Sequence, residues 1–144
     1  MGAYWTIKRD DEVEDIKTVK PFEESKVKSN MRQYPPKVDF DGMEETVIPH
    51  FKGGEKEFAA KMFVDELNKI MRGRLIPGAS IGMHTHDSGS EILMVTKGKG
   101  SVIIDGEKYP LKEGDVHYCP KGHSHSLLND SGEDLEFFAV VPEQ

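Results

Sequence analysis

The stretch GASIGMHTHDSGSEILMVTKG, residues 78–98, holds two short strand-like runs separated by a turn. Ile81 to His86 runs into Asp87-Ser88-Gly89, and Ile92 to Thr96 runs into Lys97-Gly98-Lys99-Gly100. Clusters of Gly, Asp and Ser end a strand because they accept the tight backbone angles of a turn. His84 and His86 stand two apart, so on a strand both imidazoles face the same side. Glu91 follows the turn, where a reversal of the chain brings its carboxylate beside them.

Working outward, the pattern repeats. Lys69 to Ile76 ends at Pro77-Gly78, and Val116 to Cys119 ends at Pro120-Lys121-Gly122. Ser101 to Ile104 and Glu107 to Leu111 flank Asp105-Gly106, a strong short-range hairpin signal. His123 to Leu128 ends at Asn129-Asp130-Ser131-Gly132, and Leu135 to Val141 precedes Pro142. Short strands at about ten-residue spacing, with turn signals between them, predict an all-β sandwich or barrel. No internal repeat is visible, which gives one barrel and not a duplicated pair. Glu57 to Leu67 fits two periods: Phe58, Met62 and Glu66 follow helical spacing, while Ala60, Met62 and Val64 alternate as in a strand.

Five of the six histidines fall between residues 84 and 125. His123 and His125 form a second pair two apart, after another Gly/Pro turn. Two imidazoles and one carboxylate from a single hairpin match the donor types of metal sites with open positions. Histidines also cluster in acid–base sites that hold no metal, so spacing alone leaves both chemistries open.

Residues 78–98 match the first cupin motif, GxxxxxHxHxxxxExxxxxxG, at every fixed position. GDVHYCPKGHSHSLLN, residues 114–129, matches the second, GxxxxxPxGxxHxxxN. The chain therefore resembles the single-domain metal-binding cupins of the RmlC-like jelly-roll superfamily, and within them the small bacterial mannose-6-phosphate-isomerase-like proteins. The resemblance implies an all-β cupin double-stranded β-helix, a jelly-roll barrel, over residues 55–144, with an N-terminal extension over residues 1–54. It implies His84, His86, Glu91 and His125 as ligands of one divalent transition metal. Gly78, Gly98, Gly114, Pro120 and Gly122 are its turn residues, and Asn129 closes the second motif. Mn, Fe, Ni, Co and Zn all suit three imidazoles and a carboxylate, whereas Ca and Mg prefer all-oxygen sites.

His123 occupies a variable motif position, and its parity with His125 aims it toward the cavity. His117 and Cys119 share a strand face whose direction the sequence leaves open, and Cys119 reads as a buried, inert thiol. His50 lies outside the motifs and is given no role.

Residues 8–46 are rich in Lys, Glu, Asp, Ser and Pro, and Pro21 and Pro35-Pro36 forbid a long helix there. They read as an extended arm with one short helical or strand piece, packing on the barrel or on a partner subunit. Tyr4, Trp5 and Ile7 form an apolar cluster that favours docking of the first residues.

Composition narrows the function classes. The 144 residues suit one domain, and a hydrophobic content of 36% includes no run long enough to span a membrane. The N-terminus has neither the apolar core nor the cleavage site of a secretory signal, so a cytoplasmic location is expected. A formal net charge of −7 with scattered basic residues disfavours nucleic acid. The single cysteine excludes an internal disulfide framework.

The expected activity is metal-assisted isomerisation or lyase chemistry on a small oxygen-rich metabolite, a sugar, sugar acid or keto acid. His123 and Tyr118 are candidates to move a proton, and Arg72 and Arg74 to hold a carboxylate or phosphate. An Fe-dependent oxygenase and a non-catalytic ligand- or metal-binding module are the alternatives. Glu91 argues against thiol dioxygenases, and the full ligand set against metal-free sugar epimerases. Oxalate-degrading cupins carry an arginine shortly before the histidine pair, where this chain has Ala79-Ser80-Ile81-Gly82-Met83. A homodimer is expected because jelly rolls have edge strands to cover, Phe137 to Val141 and the N-terminal arm being the candidates.

Overall fold

The computed structural model describes residues 35–144. The expected arm therefore lies outside the described residues as far as residue 34, Tyr4, Trp5 and Ile7 included. Ten strands follow: β1 (Thr46–Pro49), β2 (Glu57–Val64), β3 (Asn68–Leu75), β4 (Ser80–Thr85) and β5 (Glu91–Lys97), then β6 (Lys99–Ile104), β7 (Glu107–Lys112), β8 (Val116–Cys119), β9 (Ser124–Leu128) and β10 (Leu135–Pro142). Among the described residues the one helical piece is a 3-10 turn at Phe51–Gly53. No helix there is long and apolar enough to cross a membrane.

The strands form two antiparallel sheets, a six-stranded one in the order β1-β2-β3-β10-β5-β8 and a four-stranded one in the order β4-β9-β6-β7. This is the jelly roll expected from the sequence, and Val38–Gln144 forms one compact unit. Glu57–Val64 takes its strand reading. Phe58, Ala60 and Met62 alternate onto the inner face and pair with Leu75, Gly73 and Met71 of β3. The polar stretch before residue 55 contributes β1, which pairs Ile48 with Phe58 at the edge of the larger sheet.

One expectation is corrected. The apolar run Phe137 to Val141 does not cover a sheet edge; β10 sits inside the larger sheet, paired with both β3 and β5. Its sequence explains this: Phe137 and Ala139 are buried on the inner face, while Phe138 and Val140 face outward over neighbouring strands. A strand apolar on both faces belongs in a sheet's interior, flanked on both sides.

The core lies between the sheets and includes Phe58, Leu75, Leu93, Val95, Leu127, Leu135 and Phe137. Phe58 stacks on Phe137 at 5.9 Å and on Phe51 at 5.2 Å. Asp105-Gly106 makes the β6–β7 turn with both residues at positive φ, 52° and 78°, as a two-residue hairpin of this hand requires. Asn129, 1% exposed, ties three segments together. Its side-chain amide donates to the carbonyls of Leu75 (2.8 Å) and Glu133 (2.7 Å), and its Oδ1 accepts from the Ser131 amide (3.0 Å).

A β-bulge in β4 positions the site. Ile81 pairs with Leu127 but His84 pairs with His125, so one extra residue of β4 is accommodated between them. Strict alternation would put Ile81 and His84 on opposite faces; the bulge turns both toward the interior and leaves Met83 exposed. Gly82, within the bulge, lets the 3-10 turn pack on β4, because a Cβ there would collide with the Lys52 carbonyl.

Candidate metal centre

His84 lies near the end of β4 and His86 directly follows it, Glu91 opens β5, and His125 lies on β9 directly opposite His84. The structure brings the four expected residues together, with one donor atom from each lying within 4.8 Å of all the others. The Nε2 atoms of His86 and His125 are 2.9 Å apart. Glu91 Oε1 lies 3.1 Å from His86 Nε2 and 2.8 Å from His125 Nε2. The three rings surround one point at centroid separations of 4.8–4.9 Å.

Two of the imidazoles are oriented from behind. His84 Nδ1–H donates to the Gly82 carbonyl at 2.7 Å, so the proton sits on Nδ1 and the lone pair on Nε2. Burial, and then the neighbouring His125 and His86, lower its pKa, which favours the neutral, electron-donating ring. His125, 2% exposed, turns Nδ1 away from the cluster to His117 Nε2, 2.9 Å off. Burial pushes the His117 pKa down to about 4, with the His125 ring adding to the effect. A neutral His117 can accept the His125 Nδ1 proton, so an ion entering the cluster would take the place of the Nε2 proton through which His125 bonds Glu91.

Burial alone would raise the Glu91 carboxyl; hydrogen bonds from His125 and His86 outweigh it and hold the pKa down at about 2. Glu91 is therefore an anion throughout the neutral range. Three nitrogens and one anionic oxygen make a borderline donor set that fits a divalent transition ion. The donor atoms of His86, Glu91 and His125 lie 2.8–3.1 Å from one another, close enough for one ion to touch all three. These residues could hold a metal.

The cluster borders a cavity of about 530 Å³ between the sheets, into which His84, His86 and Glu91 open. The other sequence candidates do not line it. His123 precedes β9, so the alternation that aims His125 inward stops short of it; its Nδ1 lies 3.1 Å from Asp105 Oδ1 at the surface. Tyr118 is 55% exposed, on the face of β8 opposite His117 and Cys119. Arg72 and Arg74 alternate with inward Met71, Gly73 and Leu75, and reach outward to Asp41 (3.4 Å) and Glu45 (2.6 Å). Burial pushes the Cys119 thiol up to about 11, so it stays protonated and unreactive. His50 bonds locally to the Gly54 carbonyl at 3.0 Å.

His117 is the residue whose direction the sequence left open. The signal that decides it is its pairing with Leu93, which is buried, and that of Cys119 with Glu91.

Residues 71–141 match the Cupin domain family. The chain is 41% identical over 100 residues to an oxalate-binding protein of Thermotoga maritima, covering 65% of this chain and 83% of that protein. A crystal structure of a predicted oxalate decarboxylase from Thermotoga maritima superposes with a TM-score of 0.71 at 30% identity, covering 75% of this chain and 99% of that one. A cupin described as a sugar phosphate isomerase from Silicibacter pomeroyi shares the fold, with a TM-score of 0.62 at 24% identity over 76% of both chains. Jelly roll, two-part motif and relatives agree: the chain belongs to the cupin superfamily.

Proposed function

We propose that this protein holds one divalent transition ion with His84, His86, Glu91 and His125, and uses it to bind and polarise the oxygens of a small carbonyl- or carboxylate-bearing metabolite. The observation that carries this is the convergence of four donor atoms within 4.8 Å beside a 530 Å³ cavity. Held by these four residues, a divalent ion would supply Lewis acidity toward carbonyl and carboxylate oxygens. The chain does the rest. Gly82 and His117 fix the rings of His84 and His125, Glu91 supplies the negative charge, and the apolar inner faces of the sheets exclude water. That arrangement is the support for isomerisation or lyase chemistry on a sugar, sugar acid or keto acid.

The relative described as an oxalate-binding protein favours a second reading, capture of a small carboxylate without turnover. Elemental analysis tests the shared premise. One equivalent of Mn, Fe, Co, Ni or Zn is expected, lost in a His86→Ala/Glu91→Gln double variant that keeps its circular dichroism. A metal content near zero after dialysis against each ion refutes it. Solvent deuterium entering a bound keto acid supports isomerase or lyase chemistry. Oxygen uptake on Fe²⁺ loading supports an oxygenase instead, and binding without either supports the passive module.

We also place a homodimer contact on the outer face of the larger sheet. Ile92 pairs with Tyr118 and Met94 with Val116, and all four side chains are exposed; Val140 and Phe138 of β10 extend the same rows. A contiguous apolar patch of this kind is unfavourable in water. A Val116→Glu/Ile92→Glu variant is expected to sediment as a monomer where the parent sediments as a dimer; a monomeric parent refutes the placement.

A further inference from the structure

The cavity is not a generic polar vessel for the metal cluster. Part of its wall is formed by the inner faces of β1, β2 and β3, where Ile48, Phe58, Met62 and Met71 stand side by side through the register Ile48–Phe58 and Met62–Met71. Ile81 and Val141 close it from β4 and β10. Polar groups other than the cluster gather at the rim. Lys69 shares the inner face with Met71 but is exposed, and Lys52 comes from the 3-10 turn, its Nζ 5.5 Å from the Phe51 ring centroid. The arrangement has three zones: the chelating donors, an apolar stretch of wall, and a mixed polar edge where Lys52 and Lys69 stand with Asp65, Asp87 and Glu143.

We infer that the ligand is an amphipathic acid, a 2-oxo or 2-hydroxy carboxylate whose oxygens sit at the His/Glu cluster and whose alkyl or aromatic body lies on Ile48, Phe58, Met62 and Met71. This deepens the functional reading above and rests on it for the chelating end. The wall itself supplies the size and polarity of the ligand. Oxalate has no apolar atoms to place there, and it fills only a small part of 530 Å³. A sugar finds polar partners at Asp65, Asn68, Thr85 and Ser88, but the hydroxyls it sets against Ile48, Phe58, Met62 and Met71 have none, which costs binding. An alkyl chain leaves water for the wall instead, and each methylene so buried tightens binding about fourfold.

The test is a titration series on protein reconstituted with Mn²⁺ and, in parallel, on protein treated with EDTA. The probes are oxalate, glyoxylate, pyruvate, 2-oxobutanoate, 2-oxopentanoate and 2-oxohexanoate, followed by calorimetry and by the effect of each acid on Mn²⁺ water relaxivity. Affinity is expected to rise at least tenfold from pyruvate to 2-oxohexanoate in the Mn²⁺ protein. Met62→Gln, checked for an unchanged thermal midpoint, is expected to flatten that rise while leaving glyoxylate unaffected. Met62→Ala serves as a second wall variant should the glutamine disturb folding. A flat series, or oxalate binding more tightly than 2-oxohexanoate, overturns the amphipathic ligand and leaves the metal reading intact. A rising series that is the same with and without Mn²⁺ supports the wall but overturns chelation. No change in relaxivity or heat with any acid overturns both.

Discussion

Replacing His117 with Phe removes the acceptor behind His125 while keeping a ring of similar size in a buried place. In the parent, His117 Nε2 lies 2.9 Å from His125 Nδ1, and neither ring has appreciable solvent contact. The variant loses one buried hydrogen bond, worth about 1 kcal/mol, and leaves an N–H with no acceptor, at a further cost of about 1–2 kcal/mol. The His125 ring also becomes free to rotate or to move its proton to Nε2, the tautomer that cannot ligate. If the loss falls on the metal-bound state, about 2 kcal/mol corresponds to roughly thirtyfold weaker metal binding, within the range found for partners behind ligating histidines. The assay is competition for Mn²⁺ or Zn²⁺ against a fluorescent chelator, with urea unfolding of the metal-free protein run alongside. His117→Gln, whose side-chain oxygen can accept from Nδ1–H, is expected to recover part of the affinity. Metal affinity of His117→Phe within twofold of the parent, with unchanged stability, refutes the reasoning, as does a loss that His117→Gln fails to relieve.

Asn129→Ala strips donors from two carbonyls and an acceptor from Ser131, and is expected to cost about 2–4 kcal/mol, lowering Tm by roughly 5–15 °C in calorimetry. Gly82→Ala drives a Cβ into the Lys52 carbonyl, so a loss of about 2–3 kcal/mol is expected in urea unfolding, together with weaker metal binding because the bulge that aims His84 is disturbed. Acidification is expected to destabilise the metal-free protein. His117 is depressed in the folded state to about 4 from an ordinary 6.5, so between those values the unfolded chain takes up a proton that the folded one does not. Stability is then full above about pH 6.5 and declines as pH falls toward 4; His117→Phe should reduce that slope in urea melts collected across the range.

Much of this architecture is legible in the sequence because turn chemistry is local. Asp105-Gly106, Pro120-Lys121-Gly122 and Asp87-Ser88-Gly89 each bound the strands they were expected to bound, and the two-part motif names the residues that meet at the cluster. What was not legible depends on pairing across distance. Thr46–Pro49 has no alternating pattern of its own, and becomes a strand because β2 offers it an edge. His123 looked like a cavity residue from its parity with His125, yet the strand begins one residue too late to carry the alternation. Arg72 and Arg74 could have faced either way until Met71 and Leu75 were known to be inside. The bulge at Gly82 is invisible to a period-two reading, which would have aimed Ile81 and His84 to opposite sides.

The pairing of His84 with His125 across β4 and β9 also bears on how the protein is made. His86 and His125 are 39 residues apart in sequence, so the cluster comes into being only when the chain has closed a long loop and the smaller sheet has formed. A newly made chain can offer an ion His84 and His86 early, but the remaining nitrogen arrives with β9. An ion held by the cluster would therefore favour the completed sheet over its fragments and act as a rivet between two non-adjacent stretches of chain. Release of such an ion would be slow wherever opening β4 from β9 is slow, tying its residence to the lifetime of a strand pair as well as to the chemistry of the donors.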